Sequence, residues 1–280
     1  MKNIWYLSVV SYKDSIRKRI LWVFLIFSFI LIFTSVALKV ISLERASLSD
    51  RTAGLAAAAP VLVTVFDCFN TSIASIAIFG VLILLFTAAS QIPEEIEGRT
   101  LYTLLTFPLK RRHYILGKFL GQVLVILTIV AVMTVILYEA LIIRNIIAGR
   151  EGFSLARILL FWSFDPVMLK GVYTLIIQLS VLASVCVMLS TFAPVNFNII
   201  FCFVLFLAGH TTWYLLALAR GMKFLPAKWG LIAAYTLIPN FEYFNLSNEL
   251  ALKADVSFAY LFSITLYGLI YAASMLTIGG

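Results

Sequence analysis

The residues that could carry out chemistry in this sequence are few. The candidates would be histidines and the short motifs of known active sites. The chain has no Gly-x-x-x-x-Gly-Lys-Ser/Thr loop, so it lacks the backbone cradle that binds nucleotide phosphates. His-Glu-x-x-His and Gly-x-Ser-x-Gly are also missing. The two histidines are His113, in a basic cluster, and His210, in an apolar run. A single intramembrane histidine is more often an interhelical hydrogen bonder than a catalyst. We therefore predict no catalytic residue.

Metal and cofactor sites are not indicated either. The three cysteines, Cys68, Cys186 and Cys202, are scattered and odd in number, which fits neither a disulfide framework nor metal-ligand spacing. Acidic residues are missing from the middle of the apolar runs, where a proton- or sodium-coupled carrier needs them. We expect no cofactor and no metal in this chain.

The composition excludes a soluble globular domain. Hydrophobic residues make up 62% of the 280 residues and charged residues 12%, about half of the usual charged fraction. The mean hydropathy is +1.05. The net charge of +8 is assigned to loop orientation and lipid headgroups, not to nucleic acid. These values predict an all-α polytopic membrane protein with a single transmembrane domain over residues 1–280.

Residues 93–113 form a polar connector between two long apolar runs. Pro93 suits the first turn of a helix, where its missing N–H costs no hydrogen bond. Carboxylates near a helix start are favoured by the helix dipole, and three follow here: Glu94, Glu95 and Glu97. Gly98 is expected to break this short helix, and a second helix is predicted after it.

The second connector helix is predicted to start at Thr100, as its cap, and to end before Pro108. Three leucines fall on one face of it at i, i+3, i+4 spacing: Leu101, Leu104 and Leu105. A helix this short does not fold alone, so the leucine face indicates a soluble docking partner. The alternative is an ordinary solvated loop between two spans.

Two basic clusters indicate the orientation. Lys110, Arg111, Arg112 and His113 directly precede the apolar run that begins at Tyr114, and Arg17, Lys18 and Arg19 precede the first apolar run. Such clusters next to span ends favour the cytoplasmic face. We expect a cytoplasmic connector and cytoplasmic termini.

The connector resembles the signature of type-two ABC transporter permeases. The matching positions are Glu94, Glu95, Glu97, Thr100, Leu101, Leu104, Leu105, Pro108, Arg111, Leu116, Gly117 and Lys118. The resemblance implies a coupling helix that docks on a separate ATP-binding cassette subunit, with the leucines in its groove and the carboxylates against its basic rim. Arg111 and Lys118 would hold the helix against lipid. ATP and Mg would bind to the partner subunit.

Six transmembrane spans are predicted in the apolar runs, with an amphipathic helix in the interface before the first one. The resemblance implies that this N-terminal helix is an interfacial elbow helix. The short apolar stretch 55–66 could lie on the outer surface or extend the second span. The predicted spans are 20–38, 72–90, 114–138, 171–192, 197–219 and 257–278.

An external segment at 230–246 contains an apolar run that is too short to cross a bilayer, followed by a Pro-Asn-aromatic sequence. It could be re-entrant, as the resemblance implies, or an interfacial aromatic loop. The chain ends at Gly280 without a basic tail, so we expect the natural sequence to continue.

The resemblance, together with the predicted spans, implies a permease subunit of an ATP-driven exporter in a prokaryotic inner membrane, paired with a second permease copy as a homodimer or heterodimer. The alternatives are a self-sufficient secondary transporter or channel, and an intramembrane enzyme that uses His210. The substrate is not readable, because exporters of lipids, peptides, drugs and ions share such apolar spans.

Overall fold

The computed structural model describes residues 2–34, 59–98, 111–147, 166–221, 225–246 and 256–280. Every described element is helical. The first five α-helices are α1 (Lys2–Arg17), α2 (Arg19–Thr34), α3 (Ala59–Ala88), α4 (Gln91–Glu97) and α5 (Arg111–Ile147). They are followed by α6 (Pro166–Leu189), α7 (Val195–His210), α8 (Thr212–Gly221), α9 (Leu225–Leu237), a 3-10 turn (Phe241–Phe244) and α10 (Phe258–Gly279).

Four stretches in the described part of the chain are long and apolar enough to cross a membrane, judged by length and composition. They are Ile73–Glu97, Arg111–Ala140, Leu169–Leu189 and Phe258–Gly279, which correspond to the second, third, fourth and sixth predicted spans. The helix of the second span begins at Ala59, so of the two alternatives for 55–66 the structure favours the extension of that span.

The first and fifth predicted spans correspond to shorter apolar helices, Arg19–Thr34 and Val195–His210. Predicted span 20–38 runs past Thr34 into residues outside the described part. The fifth span, predicted as continuous over 197–219, is interrupted at Thr211. The Thr211 hydroxyl donates to the Leu207 and Ala208 carbonyls at 3.3 and 3.2 Å. Such side-chain bonds back to the preceding turn bend helices.

The core of the bundle lies between α3, α5 and α6, with α1 packed on α5 and α10 packed on α6. α10 shows how these helices divide their surface: its buried residues recur every three or four positions, at Leu261, Ile264, Gly268, Ala272 and Leu276. The other face of α10 is apolar and exposed, as in Phe262 and Leu269. An apolar outer surface around a packed core is what hydrocarbon requires of a membrane bundle.

α9 has 13 residues and is about 20 Å long, which is too short to cross the hydrocarbon core. The 3-10 turn that follows it is held inside the fold, because Phe241 and Phe244 are buried. Phe241 packs where a side chain on Gly209 would otherwise lie, so the two backbones approach closely. The predicted external segment 230–246 is thus tied to α7 through its aromatic residues.

Candidate functional site

α4 contains the first described part of the predicted connector, and it begins two residues before Pro93. Ser90 already has helical angles, and the Glu94 N–H donates to the Ser90 carbonyl at 3.0 Å. Pro93 lies in the first turn, where its missing N–H costs no bond, as predicted. Gly98 follows the last helical residue, and its N–H donates to the Glu94 carbonyl at 2.9 Å. The helix therefore ends where the sequence predicted.

Two of the three α4 carboxylates, Glu94 and Glu95, bind side chains of neighbouring helices within the chain. Glu94 pairs with Lys18 of the α1–α2 junction at 2.7 Å, and Lys18 also donates to the Ser90 hydroxyl. Glu95 accepts hydrogen bonds from the Lys118 ammonium and the Tyr114 hydroxyl of α5. Both acids therefore hold α4 to neighbouring helices.

Lys118 was expected to contact lipid, and the structure corrects this expectation. Its side chain is only 4% exposed, and its ammonium lies 5.8 Å from the centre of the Tyr114 ring in addition to its bond with Glu95. A buried ammonium requires a carboxylate partner, because its desolvation is otherwise uncompensated. Tyr114 and Lys118 are one helical turn apart on α5, so both side chains reach the same carboxylate.

A buried chain of amides and hydroxyls continues from α4 into the bundle. The Gln91 amide donates to the Ser15 hydroxyl at 2.8 Å and to the Gln122 side-chain oxygen at 3.0 Å. Gln122 in turn donates to the Thr87 hydroxyl at 2.7 Å. These four side chains are buried, so each bond joins groups that have left water. We call them, together with Lys18, Glu94, Glu95, Tyr114 and Lys118, the α4 cluster.

α1 reaches the α4 cluster by packing closely along α5. Ser8, Ser11 and Ser15 form its buried face, and a side chain on Gly121 would lie 2.7 Å from Ser11 Cβ. Small residues at a helix interface allow backbones to approach, here as Gly117-x-x-x-Gly121. The opposite face of α1 carries the exposed Trp5 and Tyr6, as its amphipathic sequence predicted.

The outward side of α4 ends in Ile96 and Glu97, which are both exposed. Ile96 is 45% exposed, and it was not among the residues predicted to bind a partner. Its signal was an apolar residue flanked by carboxylates on a short polar helix. Arg111 is exposed at the start of α5. The other predicted docking residues, Thr100, Leu101, Leu104, Leu105 and Pro108, lie outside the described part of the chain.

His210 has the structural role that was predicted for it. Its Nε2 lies 3.1 Å from the Gln178 amide of α6, and its Nδ1 lies 3.0 Å from the Phe206 carbonyl. The described residues contain no group of three or more His, Cys, Asp or Glu side chains that could hold a metal ion. Of the cysteines, Cys186 and Cys202 are buried and free.

Comparison with known proteins agrees with this architecture. The family model of the ABC-2 family transporter protein matches residues 11–279. The chain is also similar to the probable ABC transporter permease protein NosY of Stutzerimonas stutzeri, with 32% identity over 172 residues. The match covers 61% of this chain and 54% of that relative, so the chain spans about half the length of the relative it matches. The chain therefore belongs to the ABC-2 transporter family.

Proposed function

We propose that this chain is the membrane permease subunit of an ATP-driven exporter, and that a separate ATP-binding cassette subunit drives it. Membership of the ABC-2 family supports a membrane transport role, and the similar protein of Stutzerimonas stutzeri is named a probable ABC transporter permease. ATP and Mg would bind to the partner, since the chain has no phosphate-binding loop. The proposal includes six spans, cytoplasmic termini in a prokaryotic inner membrane, and a second permease copy.

The α4 cluster is the observation that carries the proposal. It joins the short helix after α3 to the α1–α2 junction through Lys18 and to α5 through Lys118. A push on the connector would therefore reach three membrane helices together, because packed and hydrogen-bonded elements move as rigid bodies. A solvated loop would need no such cluster at its base.

Partner contact is assigned to the side of the connector that the cluster leaves exposed. Ile96 and Glu97 lie there, and the predicted leucine face, Leu101, Leu104 and Leu105, follows in the same connector. In this proposal the leucines enter an apolar groove of the cassette, and Glu97 meets its basic rim. Glu94 and Glu95 act as positioning residues within the permease.

The test is Leu104→Asp, which places a charge on the face that is assigned to the cassette groove. An unpaired buried charge commonly costs several kcal/mol, against about 0.5 kcal/mol for an ordinary surface change. We expect the cassette subunit to be lost on co-purification while the thermal unfolding of the permease stays unchanged.

Tyr102→Asp is the matched control, because Tyr102 lies off the leucine stripe in helical projection. It should keep the cassette bound. Full recovery of the cassette with Leu104→Asp would show that the connector is a solvated loop and would overturn its docking role.

A further inference from the structure

A second site lies away from the α4 cluster, in a cavity of about 320 Å³ between α3, α6 and α7. We call it the Gln178 cavity. Its walls are mainly apolar, for example Ala77, Leu175 and Phe206, and none of its lining residues is Asp, Glu, Lys or Arg. A largely apolar cavity of this size with a few placed polar groups is typical of small-molecule sites.

The hydrogen bonds of His210 determine how the polar side of this cavity is arranged. Its Nδ1 lies 3.0 Å from the Phe206 carbonyl, which only accepts, so Nδ1 carries the hydrogen. The other nitrogen, Nε2, then accepts in the neutral ring. Its neighbour at 3.1 Å must donate, which assigns the amide nitrogen of Gln178 to this contact.

This assignment leaves the Gln178 side-chain oxygen as an acceptor without a partner among the described residues. Gln178 is 5% exposed, and it lines the cavity. A polar atom in an apolar surrounding is stabilised by a hydrogen bond and destabilised without one. The Gln178 oxygen is thus an acceptor at the wall of the cavity, available to whatever enters it.

The mouth of the cavity indicates where a ligand comes from. Ile78 and Leu207 line the cavity, and both are about half exposed on the apolar outer surface of the bundle. In a membrane bundle that surface contacts hydrocarbon. Access is therefore from the lipid phase, which selects for molecules that partition into a bilayer.

From these observations we infer that the Gln178 cavity binds a neutral amphiphile whose hydroxyl or N–H group donates to Gln178 Oε1. Its apolar body would pack on Leu175 and Phe206. Charged ligands are disfavoured, because no lining residue offers a counter-charge. A plain acyl chain would fill the space without using the acceptor. The inference does not depend on the proposed function, since binding needs no ATPase subunit.

The experiment uses the full chain in phosphatidylcholine nanodiscs and a diazirine-bearing decan-1-ol as the photolabel, with mass spectrometry to locate the adducts. The matched probe is the same diazirine on decane, without the hydroxyl. We expect the alcohol to label α3 and α6 next to the cavity several-fold more than the alkane, and excess decan-1-ol to compete. Equal labelling by both probes, or labelling elsewhere, would overturn the inference.

Two variants test the cavity directly. Gln178→Leu should lower the affinity for the alcohol about fivefold, the ratio that corresponds to one neutral hydrogen bond of ~1 kcal/mol. Ala77→Phe should abolish labelling by filling the space, whereas Ala273→Phe, on the exposed face of α10, should not change it. Undiminished labelling in Ala77→Phe would overturn the inference. If Gln178→Leu does not fold, the comparison of the two probes on the unaltered chain decides.

Discussion

Lys118 shows how one charged residue can be accommodated in an otherwise apolar helix. Its ammonium is buried and bonded to Glu95, which also accepts from Tyr114. Glu94, one residue earlier, forms its own pair with Lys18, but this carboxylate is 56% exposed. The two adjacent acids on α4 thus differ in environment. Loss of the buried pair should reduce the stability of the protein more than loss of the exposed one.

Glu95→Gln should destabilise the protein by about 3 kcal/mol, since it leaves the Lys118 charge buried without its partner. Glu94→Gln is the matched control and should cost less than about 1 kcal/mol, because exposed pairs contribute little. The measurement is thermal unfolding of the purified protein in detergent.

The double variant Glu95→Gln with Lys118→Met sharpens this test. Replacing both members removes the unpaired charge, so most of the lost stability should return. Equal stability of the two single glutamine variants would contradict the assigned role of the buried pair.

Among the elements, α1 is held to α5 by close backbone packing. A side chain on Gly121 would lie 2.7 Å from Ser11 Cβ and 2.8 Å from the Ser8 carbonyl oxygen. That carbonyl belongs to the α1 backbone and cannot rotate away, so α1 itself would have to move. The C-terminal end of α1 carries Ser15 and is followed by Lys18, and both side chains contact α4. The position of α1 therefore also determines the geometry of the α4 cluster.

Gly121→Ala should therefore destabilise the protein by about 1–3 kcal/mol, the usual cost of overpacking. Gly230→Ala on α9 is the matched control: nothing lies within 4 Å of the added Cβ, so the change should be neutral or slightly stabilising. Thermal unfolding compares the two. A Gly121→Ala protein as stable as Gly230→Ala would show that α1 does not pack on α5 this closely.

At the scale of the whole molecule, the described spans hold few ionisable groups. Each of the four candidate membrane-spanning stretches contains an apolar 18-residue window with at most two Asp, Glu, Lys or Arg residues. The buried charge of Lys118 is already paired with Glu95 at one end of its span. A carrier coupled to an ion gradient uses unpaired or exchangeable groups near the midplane.

The chain alone should therefore be inert in proteoliposomes. With a pH-sensitive dye inside to follow protons and a sodium-sensitive dye to follow sodium, an imposed gradient of either ion should decay at the rate seen with empty liposomes, because the buried ammonium of Lys118 is already paired with Glu95. Co-reconstitution with the cassette subunit provides the active comparison through its ATP hydrolysis. Gradient dissipation by the chain alone would favour the secondary transporter or channel alternative.

The sequence by itself determined that this is a membrane protein, where most of the helices lie, and where the helix breaks at Gly98. These features depend on local properties. They are the length of the apolar runs, the positions of proline and glycine, and the preference of Glu94 and Glu95 for the start of a helix. It did not reveal the interruption at Thr211, where hydroxyls compete with the backbone in an apolar run.

Only the tertiary structure decided the partners of the polar side chains. Glu95 and Lys118 are 23 residues apart, and Gln178 and His210 are 32 apart. Both pairs meet because α4, α5, α6 and α7 pack in one particular arrangement. A carboxylate that faces a partner protein and one that binds a buried lysine have the same local sequence, so burial, which is a property of the packed bundle, separates the two roles.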